Sequence, residues 1–401
     1  IAPCFAALPL FEARGIGQLT NVIFESVSVL TTTGATTIDD VDSEYRSVLA
    51  WRAVLQWAGG LGTIVMGAAI VSALGFLALP VYKPTVQSIE RLSVLERLGP
   101  FFRYLLPPYA GLALAGFVVL WMSGLPRFEA FCLALSAVST GGFSISNEPL
   151  LTLAGTVSLV AIMALMVAGA INFAVQDQAL RLRFRPAANE TEIGYLFAIL
   201  VAVSLLVFWL TTRQAGDGSL FEGSFHTVSL LSTTGFVLGG LDSLSGIPPV
   251  IVLTLCFIGG SALSAAGGLK LVRLIILYRQ SLSELNRLAH PHSILRIPYG
   301  GRHTELASMT AIWIYFFALL ALVGAFAIMI GAWGYDFQTS LAAATLMLSN
   351  AGPVFPHLAA DGVTVASMPD PAKWILCLAM ILGRVEILIL LPVFDASYWR
   401  S

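Results

Sequence analysis

The run Phe24-Glu25-Ser26-Val27-Ser28-Val29-Leu30-Thr31-Thr32-Thr33-Gly34-Ala35-Thr36 leads an apolar-polar stretch straight into three hydroxyls and a glycine. Weaker copies occur as Ser136-Ala137-Val138-Ser139-Thr140-Gly141-Gly142-Phe143, Ser229-Leu230-Leu231-Ser232-Thr233-Thr234-Gly235-Phe236 and Leu346-Met347-Leu348-Ser349-Asn350-Ala351-Gly352-Pro353. Aligned on Gly34, Gly142, Gly235 and Gly352, the copies place Thr32, Thr140, Thr233 and Asn350 two residues upstream. Ser28, Ser136 and Ser229 stand six upstream, and the fourth copy has Leu346 there. Fourfold recurrence in one chain points to one site built from four similar pieces of backbone. A ring of backbone carbonyls is how a membrane pore replaces the water around an ion.

Composition decides the solvent. Of 401 residues, 57% are hydrophobic and 11% charged, and the mean hydropathy is +0.85, too apolar for an ordinary soluble domain. The formal net charge of -2 and the absence of a long basic run give no sign of a nucleic-acid partner. Cys4, Cys132, Cys256 and Cys377 are isolated in or beside apolar stretches, without CxxC spacing, and read as small core residues. The chain begins Ile1-Ala2-Pro3-Cys4-Phe5 with no initiating Met. A true N-terminus further upstream is expected, with the first outer helix surviving as its tail, Ile1 to Leu10.

A span takes about 17 to 25 mostly apolar residues. Seven segments qualify: Trp51 to Leu79, Tyr104 to Leu125, Leu151 to Val175, Ile193 to Thr212, Pro249 to Leu277, Leu306 to Ala332 and Trp374 to Leu391. Between them lie the shorter stretches Leu19 to Thr33, Phe128 to Thr140, Phe221 to Thr234 and Phe337 to Ser349, each running into a glycine of the repeat. Irregular backbone at membrane depth is tolerated only when buried in protein or lining a wet cavity. The predicted fold is therefore an all-α integral membrane protein of four pseudo-symmetric repeats. Each has an outer helix, a re-entrant pore helix with a filter loop, and an inner helix. The repeats cover residues 1–80, with the first outer helix truncated, 81–180, 181–290 with an interrupted inner helix, and 291–401.

The connections after the inner helices carry Lys83, Arg91, Arg97 and Arg103, then Arg181, Arg183 and Arg185, then Arg279, Arg287, Arg296 and Arg302. By the positive-inside rule they face the cytoplasm. The glycine loops fall on the other face among Asp39, Asp40, Asp42, Glu44, Glu148, Asp217, Asp242, Asp361 and Asp370. These acids are either a cation-concentrating rim or ordinary solvated loop charge.

The four loops, the stretch Trp51-Arg52-Ala53-Val54-Leu55-Gln56-Trp57-Ala58-Gly59-Gly60-Leu61-Gly62, the run Gly267-Gly268-Leu269-Lys270 and the final Gly383-Arg384-Val385-Glu386 resemble the Trk/Ktr/HKT cation-transporter superfamily, closest to its TrkH-type potassium uptake subunits. The resemblance covers essentially the whole chain and implies the same fold of four pore-loop repeats. It also implies potassium as the ion, because a serine in place of the first-repeat glycine accompanies sodium transport in plant relatives and this chain has Gly34.

A single glycine in a membrane helix usually serves close packing. Four at equivalent positions, each ending a short apolar helix, favour a filter, where glycine reaches backbone angles that other residues adopt poorly. The candidate potassium site is Thr32, Thr33, Gly34, Thr140, Gly141, Gly142, Thr233, Thr234, Gly235, Asn350, Ala351 and Gly352. The C-terminal ends of the pore helices would favour a cation there. Glu129 and Glu222, at the opposite ends of their pore helices, read as ordinary dipole partners.

The third inner helix carries Gly259-Gly260-Ser261-Ala262-Leu263-Ser264-Ala265-Ala266-Gly267-Gly268 between apolar runs. Such a stretch either unwinds or forms a packing seam, which Gly260, Ser264 and Gly268 fit by spacing. The resemblance implies an intramembrane gate loop, with Gly260, Ser261, Ser264, Gly267, Gly268 and Lys270 as gate residues. Members of the superfamily commonly have Gly-Ser-Thr where this chain has Leu263-Ser264-Ala265, so a less polar and more helical loop is expected. Lys270 and Arg273 are either gate-associated or cytoplasmic-end anchors. Arg384 lies near the middle of the last span, where charge is costly and marks function. The resemblance implies that it projects into the pore below the filter, as a barrier or part of the gate.

Further implications are a homodimer in the bacterial inner membrane, with the filter on the extracellular or periplasmic side, in contact with membrane lipid, and a cytosolic nucleotide-binding regulatory subunit that is TrkA-like. The chain itself has no phosphate loop. A secondary transporter coupling H+ or Na+ to potassium or small-solute uptake would need inverted repeats, yet every glycine loop falls on the acidic side. A hydrolase using Ser261 and His226 would need them within hydrogen-bond reach, and the pattern places them at different depths. No enzymatic activity is expected.

Overall fold

A computed structural model describes residues 2–13, 18–74, 94–180, 191–215, 219–289, 298–299, 302–303 and 306–385. Lys83, Arg91, Arg181, Arg183, Arg185, Asp217, Arg296 and Glu386, and the span ends 75–79 and 386–391, lie outside these residues. The described part is helical apart from a two-residue antiparallel pairing of Pro298–Tyr299 with Arg302–His303.

The chain opens with α1 (Ala2–Ala7) and a 3-10 turn over Leu8–Glu12. Repeat one continues with α2 (Leu19–Leu30) and α3 (Arg46–Leu74). Repeat two has α4 (Val94–Met122), α5 (Arg127–Val138), the single turn α6 (Leu150–Leu153), α7 (Thr156–Ala170) and α8 (Phe173–Leu180). Repeat three has α9 (Thr191–Ala215), α10 (Leu220–Leu231), α11 (Pro249–Ile258) and α12 (Leu271–Ala289). Repeat four has α13 (Leu306–Gly331), α14 (Phe337–Leu348), the turn α15 (Phe355–Leu358) and α16 (Asp370–Val385).

The four pore helices α2, α5, α10 and α14 each have 12 residues. At 1.5 Å per residue that is about 18 Å, well short of a hydrocarbon core of about 30 Å. Their tips are buried: Val29, Val138, Leu231 and Leu348 are almost fully enclosed. Among the described residues, four helices are continuous and apolar enough to span, within Arg46–Ala69, Glu96–Met122, Glu192–Arg213 and Thr310–Gly331. The three outer helices among them expose Leu114, Met122, Val201, Leu205, Phe317 and Ile328, a lipid-facing surface.

One predicted span is divided where the pattern shows no break, and the interruption expected in the third inner helix is present. Leu151 to Val175 is divided by breaks at Ala154-Gly155 and Ile171-Asn172. At the second, the Asn172 side chain accepts from Ala174 N–H at 2.9 Å and starts a new helix. Pro249 to Leu277 stops at Ile258 and resumes at Leu271. Periodicity sees only apolar content, so the break at Ile171-Asn172, stabilised by hydrogen bonds from elsewhere in the fold, leaves no mark in it.

Candidate ion pathway

Each pore helix ends in the same way. The residue two before the filter glycine turns left-handed, with φ of 54° at Thr32, 52° at Thr140, 57° at Thr233 and 54° at Asn350. Its N–H bonds back to Val29 O, Ala137 O, Leu230 O or Met347 O, and the next N–H reaches Ser28 O, Ser136 O, Ser229 O or Leu346 O at 2.8–3.0 Å. This is the standard left-handed helix end, usually built on glycine and sometimes asparagine. Threonine is β-branched and adopts that region at a cost, so three threonines held there mark strain imposed by the surrounding structure.

The recurring serine has a task that the repeat alone does not reveal. Ser28 Oγ donates to Ala35 O at 2.6 Å, Ser136 Oγ to Phe143 O at 3.3 Å, and Ser229 Oγ to Phe236 O at 2.7 Å. Each ties the pore helix to the carbonyl just after the filter glycine. Leu346 offers no such bond, and the fourth loop is held instead by Gly352 N–H to Thr33 O at 2.7 Å and Asn350 Nδ2 to Thr33 Oγ1 at 2.8 Å.

The filter glycines close a ring. A Cβ at Gly34 would overlap Gly141 O, one at Gly142 would overlap Thr234 O, one at Gly235 would press on the Pro353 ring, and one at Gly352 would meet Ala35 N at 2.5 Å. Repeat one thus abuts two, two abuts three and four abuts one, while the Pro353 ring of repeat four lies 2.8–3.0 Å from a Cβ at Gly34, Gly142 and Gly235 alike. Gly34, Gly142 and Gly235 also have φ of 79°, 68° and 80°. Gly352 is not among the left-handed residues, so its glycine is required by close approach and not by torsion. The Thr33 carbonyl also accepts the Gly352 N–H, which ties the first loop to the fourth.

Three inner helices cross directly under the pore-helix tips. A Cβ at Gly59 would overlap Leu30 O, one at Gly383 would overlap Leu348 O, and one at Gly169 would lie 2.7 Å from Val138 O. In repeat three the inner helix breaks at the corresponding depth. Residues 259–270 are non-helical, which corrects the expectation of a more helical loop and removes the small-residue packing seam. The glycine doublets allow the loop to double back: Gly259 packs on Gly267 O, Leu269 N–H donates to Phe257 O at 2.8 Å, and Leu271 N–H to Gly260 O at 2.9 Å.

The loop sits against the base of the filter. Gly267 N–H donates to Thr233 Oγ1 at 2.7 Å, and a Cβ at Gly267 would overlap Ser349 O. On its other side Ser261 N–H and Ala265 N–H donate to Ala170 O and Gly169 O at 2.9 and 3.0 Å, at the break between α7 and α8. Ala262 N–H donates to Glu192 Oε1 at 2.7 Å, a buried carboxylate that opens α9 and that sequence reading missed. An acid in the first turn of an outer helix looks like a dipole partner, so only the fold reveals this contact. Lys270 Nζ donates to Ser264 O at 3.1 Å and to Ala266 O, which makes it part of the loop. Ser264 Oγ donates to Ser261 O at 2.6 Å. Arg273 donates to Leu269 O at 3.1 Å and lies 4.3 Å from the Tyr315 ring centre.

Arg384 is half-buried in the last turn of α16, one residue after the Gly383 crossing. On the acidic face, Asn147 Nδ2 donates to Asp40 Oδ1 at 2.8 Å and Val41 N–H to Asn147 Oδ1 at 3.1 Å, joining loops one and two. His357 Nδ1 contacts Leu241 O at 3.1 Å between loops three and four; burial holds its pKa down, and the carbonyl contact opposes that.

The family model for TrkH, described as cation transport protein, matches residues 13–214 and 196–399. This chain belongs to the TrkH family. The Trk system potassium uptake protein TrkH of Escherichia coli strain K12 is 31% identical over 404 residues, covering 98% of this chain and 83% of the relative. TrkG of the same strain is 31% identical over 389 residues, covering 95% and 79%. The crystal structure of the potassium transporter TrkH from Vibrio parahaemolyticus superposes with a TM-score of 0.84 at 29% identity, covering 96% of this chain and 80% of that one. As a TrkH-family member the chain is a membrane protein of a cation-transporting class, and the helical architecture matches.

Proposed function

We propose that this chain is the ion-conducting subunit of a bacterial potassium uptake system. The observation that carries this reading is the ring in which each filter glycine abuts the next repeat's loop. Thr32, Thr33, Gly34, Thr140, Gly141, Gly142, Thr233, Thr234, Gly235, Asn350, Ala351 and Gly352 form the ion-facing backbone, with potassium as the transported ion. Four pore helices direct the negative ends of their dipoles at the same place, which favours a cation without a fixed carboxylate. Carbonyl dipoles that substitute for hydration water supply preference among monovalent cations.

The loop 259–270 is the gate, since it lies directly beneath Thr233 and Ser349. Arg384 is an electrostatic barrier at the same depth. The relatives' name, Trk system, supports a multi-component assembly. In it a TrkA-like cytosolic nucleotide-binding subunit would act on the cytoplasmic ends of α9 and α12, in a homodimer in the inner membrane with the filter facing outward.

The test is uptake of rubidium into proteoliposomes down its gradient, with competing potassium and sodium. Passive entry is expected and separates a gated pore from a secondary transporter, whose uptake would depend on a proton or sodium gradient. Gly34→Ser is expected to weaken potassium-over-sodium preference, because a side chain there strikes Gly141 O and moves a wall of the filter. Unchanged relative flux in a folded Gly34→Ser protein would overturn the assignment.

A further inference from the structure

The stretch Trp51 to Gly62 contributes no carbonyl to the filter, yet it carries an arginine and a glutamine four residues apart on one face of α3. Arg52 is 2% exposed and Gln56 is fully buried. Arg52 Nη2 lies 3.4 Å from Glu25 Oε2 and donates to Thr36 Oγ1 at 3.2 Å, and the guanidinium stacks 4.0 Å from the Phe143 ring centre. Glu25 Oε1 accepts from Thr37 N–H at 2.5 Å and Thr36 Oγ1 at 2.6 Å. Arginine and glutamate together brace the outgoing strand of filter loop one and the Phe143 step of loop two.

The brace is incomplete with protein atoms alone. Arg52 Nε and Nη1 and both polar atoms of the Gln56 amide have no hydrogen-bond partner among the described residues. The two side chains line a small cavity shared with Ala53, Cys132, Ser136, Phe143 and Ser144. Its free space is about that of a single water-sized sphere, the minimum that holds one water. The cavity runs from buried Gln56 to exposed Ser144, which provides a path for exchange. The Gln56 amide also presses on filter loop two, since a Cβ at Gly141 would overlap its Nε2.

We infer that this cavity is a water-binding site behind the filter, and that Gln56 is a positioning residue for ion selectivity, acting through Gly141. The bound water accepts from Arg52 and the Gln56 Nε2–H and donates to the Gln56 carbonyl, within the two to four bonds that buried waters make. The occupant is neutral. A cation would face the guanidinium, and an anion would compete with Glu25, which already balances it. The site belongs to loops one and two alone. Nine residues before their glycines, repeats one to four have Glu25, Leu133, His226 and Ala343. His226 Nε2 accepts from Leu238 N–H at 3.4 Å, the same position three residues past the glycine that Glu25 serves through Thr37. Repeat three is thus backed without an arginine.

The inference rests on the filter assignment and is tested apart from it. A structure of the unmodified protein in lipid nanodiscs, at a resolution that shows waters, is expected to place density within hydrogen-bond distance of Arg52 and Gln56. Gln56→Met keeps the length and removes both polar atoms. It is expected to lower potassium-over-sodium relative flux by about three- to tenfold, the equivalent of one ordinary hydrogen bond. A dry cavity, or a folded Gln56→Met protein with unchanged relative flux, overturns the proposal. If Gly34→Ser alters selectivity while Gln56→Met does not, only the water site fails. If neither does, the filter assignment fails with it.

Discussion

The inner helices of repeats one and three carry the same glycine doublet at the same place, and only one of them breaks. Gly59-Gly60 and Gly259-Gly260 stand 24 to 26 residues after their filter glycines. In α3 both glycines are helical: Gly59 receives the tip of the pore helix at Leu30 O, and Gly60 receives the Tyr109 hydroxyl. In repeat three the doublet ends α11, with φ of 71° at Gly259. Glycine permits both outcomes, and the residues C-terminal to each doublet decide between them. After Gly60 the apolar helix resumes at once, with Leu61, Ile64 and Val65 buried. After Gly260 a second doublet, Gly267-Gly268, lets the chain fold back, and its freed N–H groups find Ala170 O, Glu192, Gly169 O and Thr233. Breaking a helix at membrane depth is tolerable only when those groups are satisfied in this way.

The largest effect expected from this contrast is at Arg384, where a third inner helix passes its pore helix and sets a charge just beyond the crossing. At an effective dielectric near 20 and about 4 Å, repulsion of a cation amounts to roughly 4 kcal/mol. Arg384→Gln should raise flux and lower the half-saturating potassium concentration, with Arg384→Lys intermediate. A folded Arg384→Gln protein with wild-type flux and half-saturation would remove Arg384 from the pore.

The crossing itself comes next. Gly59→Ala forces a Cβ into Leu30 backbone and should cost about 3 kcal/mol or more, seen as lost monodisperse protein after heating. One turn on, Gly62 has open space around its Cβ position. Gly62→Ala should therefore stabilise by up to about 1 kcal/mol, and equal behaviour of the two variants would show that α3 does not cross as described.

For the broken helix, Glu192→Ala strands the Ala262 N–H, a loss of about 1–3 kcal/mol. It should raise flux in the absence of a regulatory partner, whereas Glu192→Gln keeps an acceptor and should change it less. Identical flux in Glu192→Ala and wild type would show that α9 does not restrain the loop. The smallest effects lie in the ties that all but the fourth repeat share. Ser229→Ala should cost about 1 kcal/mol, and Ser136→Ala less, because its bond is longer at 3.3 Å against 2.7 Å. Thermal midpoints in the same lipid compare them.

Much of the design is written locally. Four hydroxyl-glycine runs at the ends of short apolar helices identify re-entrant pore helices, because hydropathy and length alone forbid them to cross. The interruption of the third inner helix is visible as glycine doublets in an apolar run, and Arg384 as a charge where charge is costly. Other features depend on residues distant in sequence. Asn350 meets Thr33 across 317 positions, and that contact is part of what closes the ring. The break between α7 and α8 at Ile171-Asn172 is hidden in an apolar pattern because the third repeat's loop supplies its partners. Glu25, Glu192 and Gln56 each look ordinary in their own helices and acquire a role only from the loop packed against them.

The sequence by itself determined the solvent and the position of the four recurring glycine loops, since these depend on torsional preference and apolar length, which are properties of short segments. Only the tertiary structure decided which glycine doublet breaks a helix, why Gly352 must be glycine, and which polar side chains brace the filter. Those outcomes depend on where backbone hydrogen bonds and van der Waals surfaces from other repeats arrive, and no short segment carries that information.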